Sequence, residues 1–253
     1  MKDIKILLFD IETAPLLGYT WGVWEENVIE TKEDWYMLSF AWKWYGEKEV
    51  TVHGLPDFKG YRKDKQNDEP LVAKLHKLLE EADIVVGHNI DRFDIRKSNA
   101  RFIAHCLPPP KPYRSIDTLK IARRHFKFDS NKLDDLGHYL GVGRKLAHTG
   151  KHLWLGCMNG DMKAWKLMKE YNKQDVVLLE RVYERLRPWG KPIASITEHT
   201  REPGCTKCGS KNLSSRGYGR TMTQEYQRFQ CRDCGGWCNG NYEKLKTKVK
   251  RSA

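Results

Sequence analysis

The chain lacks long apolar runs: nowhere in its 253 residues is there a stretch approaching the roughly 18 apolar residues that a membrane-crossing helix needs. It also lacks the profile of a secretory signal, because the apolar run after Met1-Lys2 is short and ends in acids. A cytoplasmic protein without a membrane partner is therefore expected, in the host cytoplasm if the chain is viral. Low-complexity sequence is scarce beyond the cluster Pro108-Pro109-Pro110-Lys111-Pro112 and a lysine-rich tail, and no internal repeat is visible. With no secretory signal, and with four of the 7 cysteines in two tight pairs, no disulfide framework is expected.

Positive charge is plentiful. The formal net charge is +12, and residues 188–253 carry 13 Lys+Arg against 5 Asp+Glu, or +8 of that total. A basic surface attracts polyanions by contacting phosphates and releasing counterions, so nucleic acid is the expected partner. A hydrophobic content of 40% is enough for a real core, and the length suits one ordinary domain plus a small module.

Periodicity predicts strands near 4–10, 37–45, 49–53 and 84–87, with helices near 70–81 and 91–104. After the prolines come a short strand near Ser115-Ile116 and a helix from Asp117 to about Phe126. Another helix is expected from Ser130-Asn131, read as candidate N-caps, to Gly141. Residues 143–160 read as irregular. Ala164, Leu167, Met168, Tyr171, Val176, Leu179, Val182, Tyr183 and Leu186 then repeat as an amphipathic helix requires, ending at Arg187-Pro188-Trp189-Gly190. The class is α/β, with an expected boundary near 187, a linker over 188–204, a cysteine module over 205–240 and a basic tail over 241–253.

Four acids stand out at the ends of these elements. Asp10 and Glu12 are two apart on a strand and face the same way; Asp94 follows strand 84–87 within Asn89-Ile90-Asp91-Arg92-Phe93-Asp94; Asp175 lies one helical turn after Tyr171. Carboxylates without His or Cys partners suit hard cations such as Mg²⁺ or Mn²⁺. Two such ions about 3.5–4 Å apart stabilise both the attacking and the leaving oxygen of an in-line displacement at phosphorus.

In their order, D-x-E, N-x3-F-D and Y-x3-D, these residues resemble the DEDD superfamily of 3′-5′ exonucleases over roughly residues 1–187. Tyr171, with Glu170 where the alternative sub-branch has histidine, is similar to the branch that includes polymerase proofreading domains. The resemblance implies an RNase H-like fold and two Mg²⁺ or Mn²⁺ ions. Asp10, Glu12 and Asp175 would hold the ion that generates hydroxide, Asp10 and Asp94 the one at the leaving 3′-oxygen. Tyr171 would orient water, since a phenol with an unperturbed pKa near 10 is a poor base. The expected activity is release of nucleoside 5′-monophosphates from 3′ ends, DNA favoured, by a chain acting alone or supplied in trans to a polymerase or other replication protein. The alternatives are an RNA 3′-5′ exonuclease and a nucleic-acid-binding or recruitment protein led by its cysteine module.

That module carries Cys205-x2-Cys208 and Cys231-x2-Cys234, separated by 22 residues, the spacing of a structural four-thiolate Zn²⁺ site, with Cys238 a further candidate ligand. It resembles the zinc ribbons of nucleic-acid enzymes, and Arg216, Arg220 and Arg228 interleaved with Tyr218, Tyr226 and Phe229 suit phosphates and bases. A protein-docking role is the competing expectation. Phe40, Trp42 and Trp44 share a strand face and read as core. His148 and His152 are not expected to bind metal. His88 reads either as a substrate contact or as a turn residue, and Asp91, Asp117, Asp134 and Asp135 read as helix N-terminal acids.

Overall fold

The computed structural model describes residues 4–24, 27–190, 203–221 and 223–244. Most of the expected linker and of the basic tail therefore lies outside the described residues. The chain divides into two compact units at Arg185 and Leu186.

A mixed five-stranded sheet forms the first unit, in the order β5-β4-β1-β6-β7. Its central strand β1 (Ile6–Thr13) runs antiparallel to β4 (Met37–Trp44) and parallel to β6 (Ile84–Gly87). The edges are β5 (Thr51–Gly54) and β7 (Arg114–Asp117). Ile6 to Phe9 and Ile84 to Gly87 are buried at every position, as strands covered on both faces require. Helix α1 (Glu69–Glu81) lays Leu71, Val72, Leu75 and Leu79 into the core beside Leu7, Phe9, Ile11, Phe40 and Val85. Burying each such side chain is worth about 1.5–3 kcal/mol. An exposed two-stranded hairpin, β2 (Leu17–Tyr19) and β3 (Glu30–Glu33), follows β1 and was not anticipated; its strands are short and its central residues mostly polar.

Helix α2 (Asp94–Ala104) starts later than position 91 because Asn89 takes a left-handed φ of 65° and its carbonyl accepts from the amides of Arg92 and Phe93, closing a turn first. Helices α3 (Thr118–His125) and α4 (Leu133–Tyr139) follow. Asp117 caps α3, accepting from the Leu119 amide at 3.0 Å. α4 is shorter than expected: Ser130 does not cap it but bonds Asp135 at 2.5 Å, and Lys132 stands at the cap position.

The irregular reading of 143–160 needs correction, because Lys151–Asn159 form helix α5. Gly150 and Gly160, at φ 61° and 84°, bound it. Only Leu153 and Cys157 are buried, a stripe too narrow to stand out in the sequence. Helix α6 (Met162–Leu186) closes the unit, with Trp165, Met168 and Tyr171 in the core. Phe40 is fully buried and Trp42 and Trp44 pack against the core, as expected, whereas Trp21 and Trp24 are exposed.

The second unit contains an antiparallel sheet of β8 (Leu213–Arg220), β9 (Gln224–Cys231) and β10 (Trp237–Lys244), with β9 central.

Candidate active site

Pairing of β1 with β6 ends at Leu8, so Asp10 and Glu12 stand where the sheet opens, beyond the carboxyl end of β6. Such a crevice is where open α/β sheets place ligands. On the other side β1 continues against β4, with Asp10 opposite Ala41 and Glu12 opposite Ser39.

Helix α6 crosses this opening and presents Tyr171, Asn172 and Asp175. Asp10, Glu12 and Asp175 each offer an oxygen, and these three atoms lie within 4.8 Å of one another. Asp94 stands outside that trio: its Oδ1 accepts from the Ile11 amide at 3.1 Å, and its charge acts on Asp10.

Burial and mutual repulsion dominate the electrostatics. Desolvation, then Asp94, Asp175 and Glu12, push the Asp10 carboxyl well above the usual range. Desolvation and Asp175 raise Glu12 to about 8, and desolvation raises Asp94 to about 7. Asp175 is raised chiefly by burial, and its Oδ1 is a buried atom with no hydrogen-bond partner. A crowd of half-neutralised carboxylates with an orphaned oxygen fits a hard divalent cation. In an octahedral Mg²⁺ shell, oxygens about 2.1 Å from the ion lie roughly 3–4 Å apart, close to the span of this trio.

Two residues that sequence reasoning missed complete the site. Asn172 is fully buried; its amide donates to Asp10 Oδ2 at 2.7 Å and to the Asp10 carbonyl at 3.2 Å, while its Oδ1 accepts from Ser39 at 3.1 Å. It thereby ties β1, β4 and α6 together beneath the acids. Lys145 donates to Asp175 Oδ2 at 2.6 Å and to the Tyr171 hydroxyl at 3.0 Å. Burial disfavours its charge, but Asp175, Tyr171 and Asp10 outweigh that and hold it protonated. The segment carrying it is clamped by Asp134, which accepts from the Lys145 amide at 2.7 Å and from both arms of Arg144.

Desolvation, then Asp175, lift the Tyr171 phenol above its ordinary value, so it stays neutral. Its ring packs edge-on against His148 and Trp154, at 4.8 and 5.9 Å between centroids. The Trp154 indole donates to Glu12 at 3.2 Å, which gives α5 its part in the site. His148 is thus a packing residue. His88 is held on both ring nitrogens, by Thr118 and by the Asn131 carbonyl, each at 2.9 Å, a structural position. Two cavities flank the acids, one of about 530 Å³ beside Trp35, Lys97 and Trp154, the other of about 500 Å³ beside Asn89, Arg123 and Lys145.

In the second unit, Cys205, Cys208, Cys231 and Cys234 bring their sulfurs within 4.8 Å of one another. The pairs Cys205–Cys234 and Cys208–Cys231 are 3.7 Å apart, close to the edge of about 3.8 Å in a tetrahedron with Zn–S bonds of about 2.3 Å. This four-cysteine cluster fits a zinc ribbon. Cys238 lies 3.7 Å from Cys205 but outside the foursome, which leaves it a neighbour of the thiolates.

Comparison with known proteins agrees with this fold. The chain is similar in fold to the family B DNA polymerase of the hyperthermophilic archaeon Pyrobaculum calidifontis, with a TM-score of 0.52 at 14% identity. That likeness covers 88% of this chain and 32% of the polymerase, so the chain spans about a third of its length. No curated protein matches the chain. The family model of the RNase H superfamily matches residues 7–187, which takes in all but the first residue of the five-stranded sheet and all four acids. The match and the acid-lined end of β1 both support a nuclease, and this chain belongs to the RNase H superfamily.

Proposed function

We propose that this protein is a metal-dependent 3′-5′ exonuclease that releases nucleoside 5′-monophosphates, with DNA its favoured substrate. The observation that carries the reading is the convergence of Asp10, Glu12 and Asp175 within 4.8 Å, with an Asp175 oxygen left without a hydrogen-bond partner. Asp10, Glu12 and Asp175 would hold one divalent ion, and Asp10 with Asp94 a second; when bound, such ions activate water and stabilise the leaving 3′-oxygen.

The chain's own residues do the positioning. Asn172 fixes Asp10, and Trp154 fixes Glu12. Lys145 favours the ionised form of Asp175 against the effect of its burial and holds the Tyr171 oxygen toward the acids. The neutral Tyr171 hydroxyl accepts from Lys145 and uses its own proton to orient the attacking water, and it takes no proton from that water. Attack at the last phosphorus leaves the phosphate on the departing nucleotide and a 3′-hydroxyl on the shortened strand. The zinc ribbon, far from the acids in sequence and rich in arginine, tethers the strand.

Incubation of 5′-labelled single- and double-stranded DNA and RNA with Mg²⁺ tests the reading. Stepwise shortening from the 3′ end that Asp10→Ala abolishes supports it, and faster loss from RNA reassigns the substrate. No nucleotide release by the metal-loaded protein defeats it in favour of a binding or recruitment role.

A further inference from the structure

The ribbon sheet has two unlike faces. Phe229, Cys231, Leu213 and Cys238 pair across β8, β9 and β10 and pack around the metal-binding sulfurs. Alternation turns Gln224, Tyr226, Arg228 and Gln230 of β9 to the other side. Trp237, opposite Gln230, and Asn239, opposite Arg228, join that side from β10. The one acid of β9, Glu225, points to the metal side and pairs with Arg220. Among the described side chains, the outward face therefore carries two aromatic rings, a guanidinium and amides, with no carboxylate from its central strand.

Its shape suits a flat ligand. Trp237 is 52% exposed at one edge, and Arg228 is exposed beside it. Tyr226 lies flat over Gly219 of β8, where an added Cβ would stand 2.5 Å from the tyrosine ring, so the close approach requires glycine there. The ring is thereby laid along the sheet.

We propose that this outward face is a stacking platform for single-stranded nucleic acid, with bases on Trp237 and Tyr226 and the backbone phosphate on Arg228. Every base has a π-face, so stacking tolerates any sequence but requires bases freed from a duplex. The acid-free outward positions of the central strand and the +8 charge of residues 188–253 favour a polyanion as occupant. The proposal rests on the tethering role given to the ribbon above and names the surface and strand form that perform it.

The test uses the zinc-loaded full chain carrying Asp10→Ala, with zinc content confirmed for each variant and binding to labelled oligothymidine read by fluorescence anisotropy. Trp237→Ala is expected to weaken binding about 5- to 150-fold, the range of one lost base–aromatic stack, and to weaken duplex binding less. Arg228→Gln should flatten the dependence of log affinity on log salt by about 0.7, one single-strand phosphate. Tyr218, which the sequence grouped with the base-stacking aromatics, is exposed on the opposite face and so lies outside the platform, and Tyr218→Ala should change neither. Undiminished single-strand binding by Trp237→Ala with an unchanged salt slope in Arg228→Gln overturns the platform and assigns the face to protein docking. Equal losses from Trp237→Ala and Tyr218→Ala overturn it as well. Either result leaves Mg²⁺-dependent cleavage by the wild-type chain untouched, so the platform and the nuclease reading fail separately.

Discussion

Replacing Lys145 by Met removes the cation from the acid cluster while keeping most of the side-chain volume. Lys145 is 30% exposed and its partner Asp175 only 1%, so the substitution leaves a buried carboxylate without its counter-charge. Breaking such pairs costs about 3–5 kcal/mol, and the partial exposure of Lys145 places the loss near about 3 kcal/mol. With a urea slope of about 2 kcal/mol per molar, the unfolding midpoint of the metal-free protein should fall by about 1.5 M at pH 8. The deficit is pH-dependent in a definite sense. Lys145 is held above its ordinary value, so it stays charged below a pH of about 10 and its own titration adds no pH dependence across the neutral range. The raised carboxylates behave oppositely: their charged forms destabilise the fold as pH climbs from about 4, where the unfolded chain ionises, through the folded values of about 7 for Asp94 and about 8 for Glu12. The gap between variant and parent should therefore widen from pH 5 to pH 8, and Mg²⁺ should narrow it. Urea titrations at both pH values decide the matter, and an equal midpoint at pH 8, or a gap that shrinks with rising pH, refutes the electrostatic role of Lys145.

Ala at Asp10, Glu12, Asp94 or Asp175 should abolish turnover, whereas Tyr171→Phe should lower kcat about 10- to 1000-fold with metal still bound; steady-state nucleotide release and calorimetric metal titration separate these outcomes. Because raised carboxylates must ionise to bind a cation, Mg²⁺ affinity should rise with pH through about 7 to 8, with protons released, and a flat calorimetric profile would contradict it. A chain ending near Pro188 should still shorten brief substrates but bind long strands more weakly with a shallower salt slope, and unchanged long-strand affinity in the folded truncation would count against tethering.

The sequence displayed what depends on short periods. Two-residue spacing put Asp10 and Glu12 on one face, and one helical turn put Tyr171 and Asp175 together. It concealed Lys145, which reaches the acids from a segment without periodicity, shaped by hydrogen bonds to Asp134. α5 stayed hidden because two buried residues make no recognisable stripe. Asn172 was within reach, lying on the buried face between Tyr171 and Asp175, yet its purpose appears only with Ser39 and Asp10 at their distances. Asp94 is in the expected first turn, but its backbone bond to Ile11 and its place outside the trio are tertiary facts.

The bond from Asn172 to Asp10 joins positions 162 residues apart, and Asp175 lies further along still. During synthesis at about 5–20 residues per second, roughly 8–30 s pass between the appearance of Asp10 and that of Asp175. Throughout that interval the nascent chain holds D-x-E without the helix that completes it. On the proposed function, an unfinished or prematurely terminated chain is thereby harmless to the nucleic acid around it, and cutting would begin only when the last long helix docks.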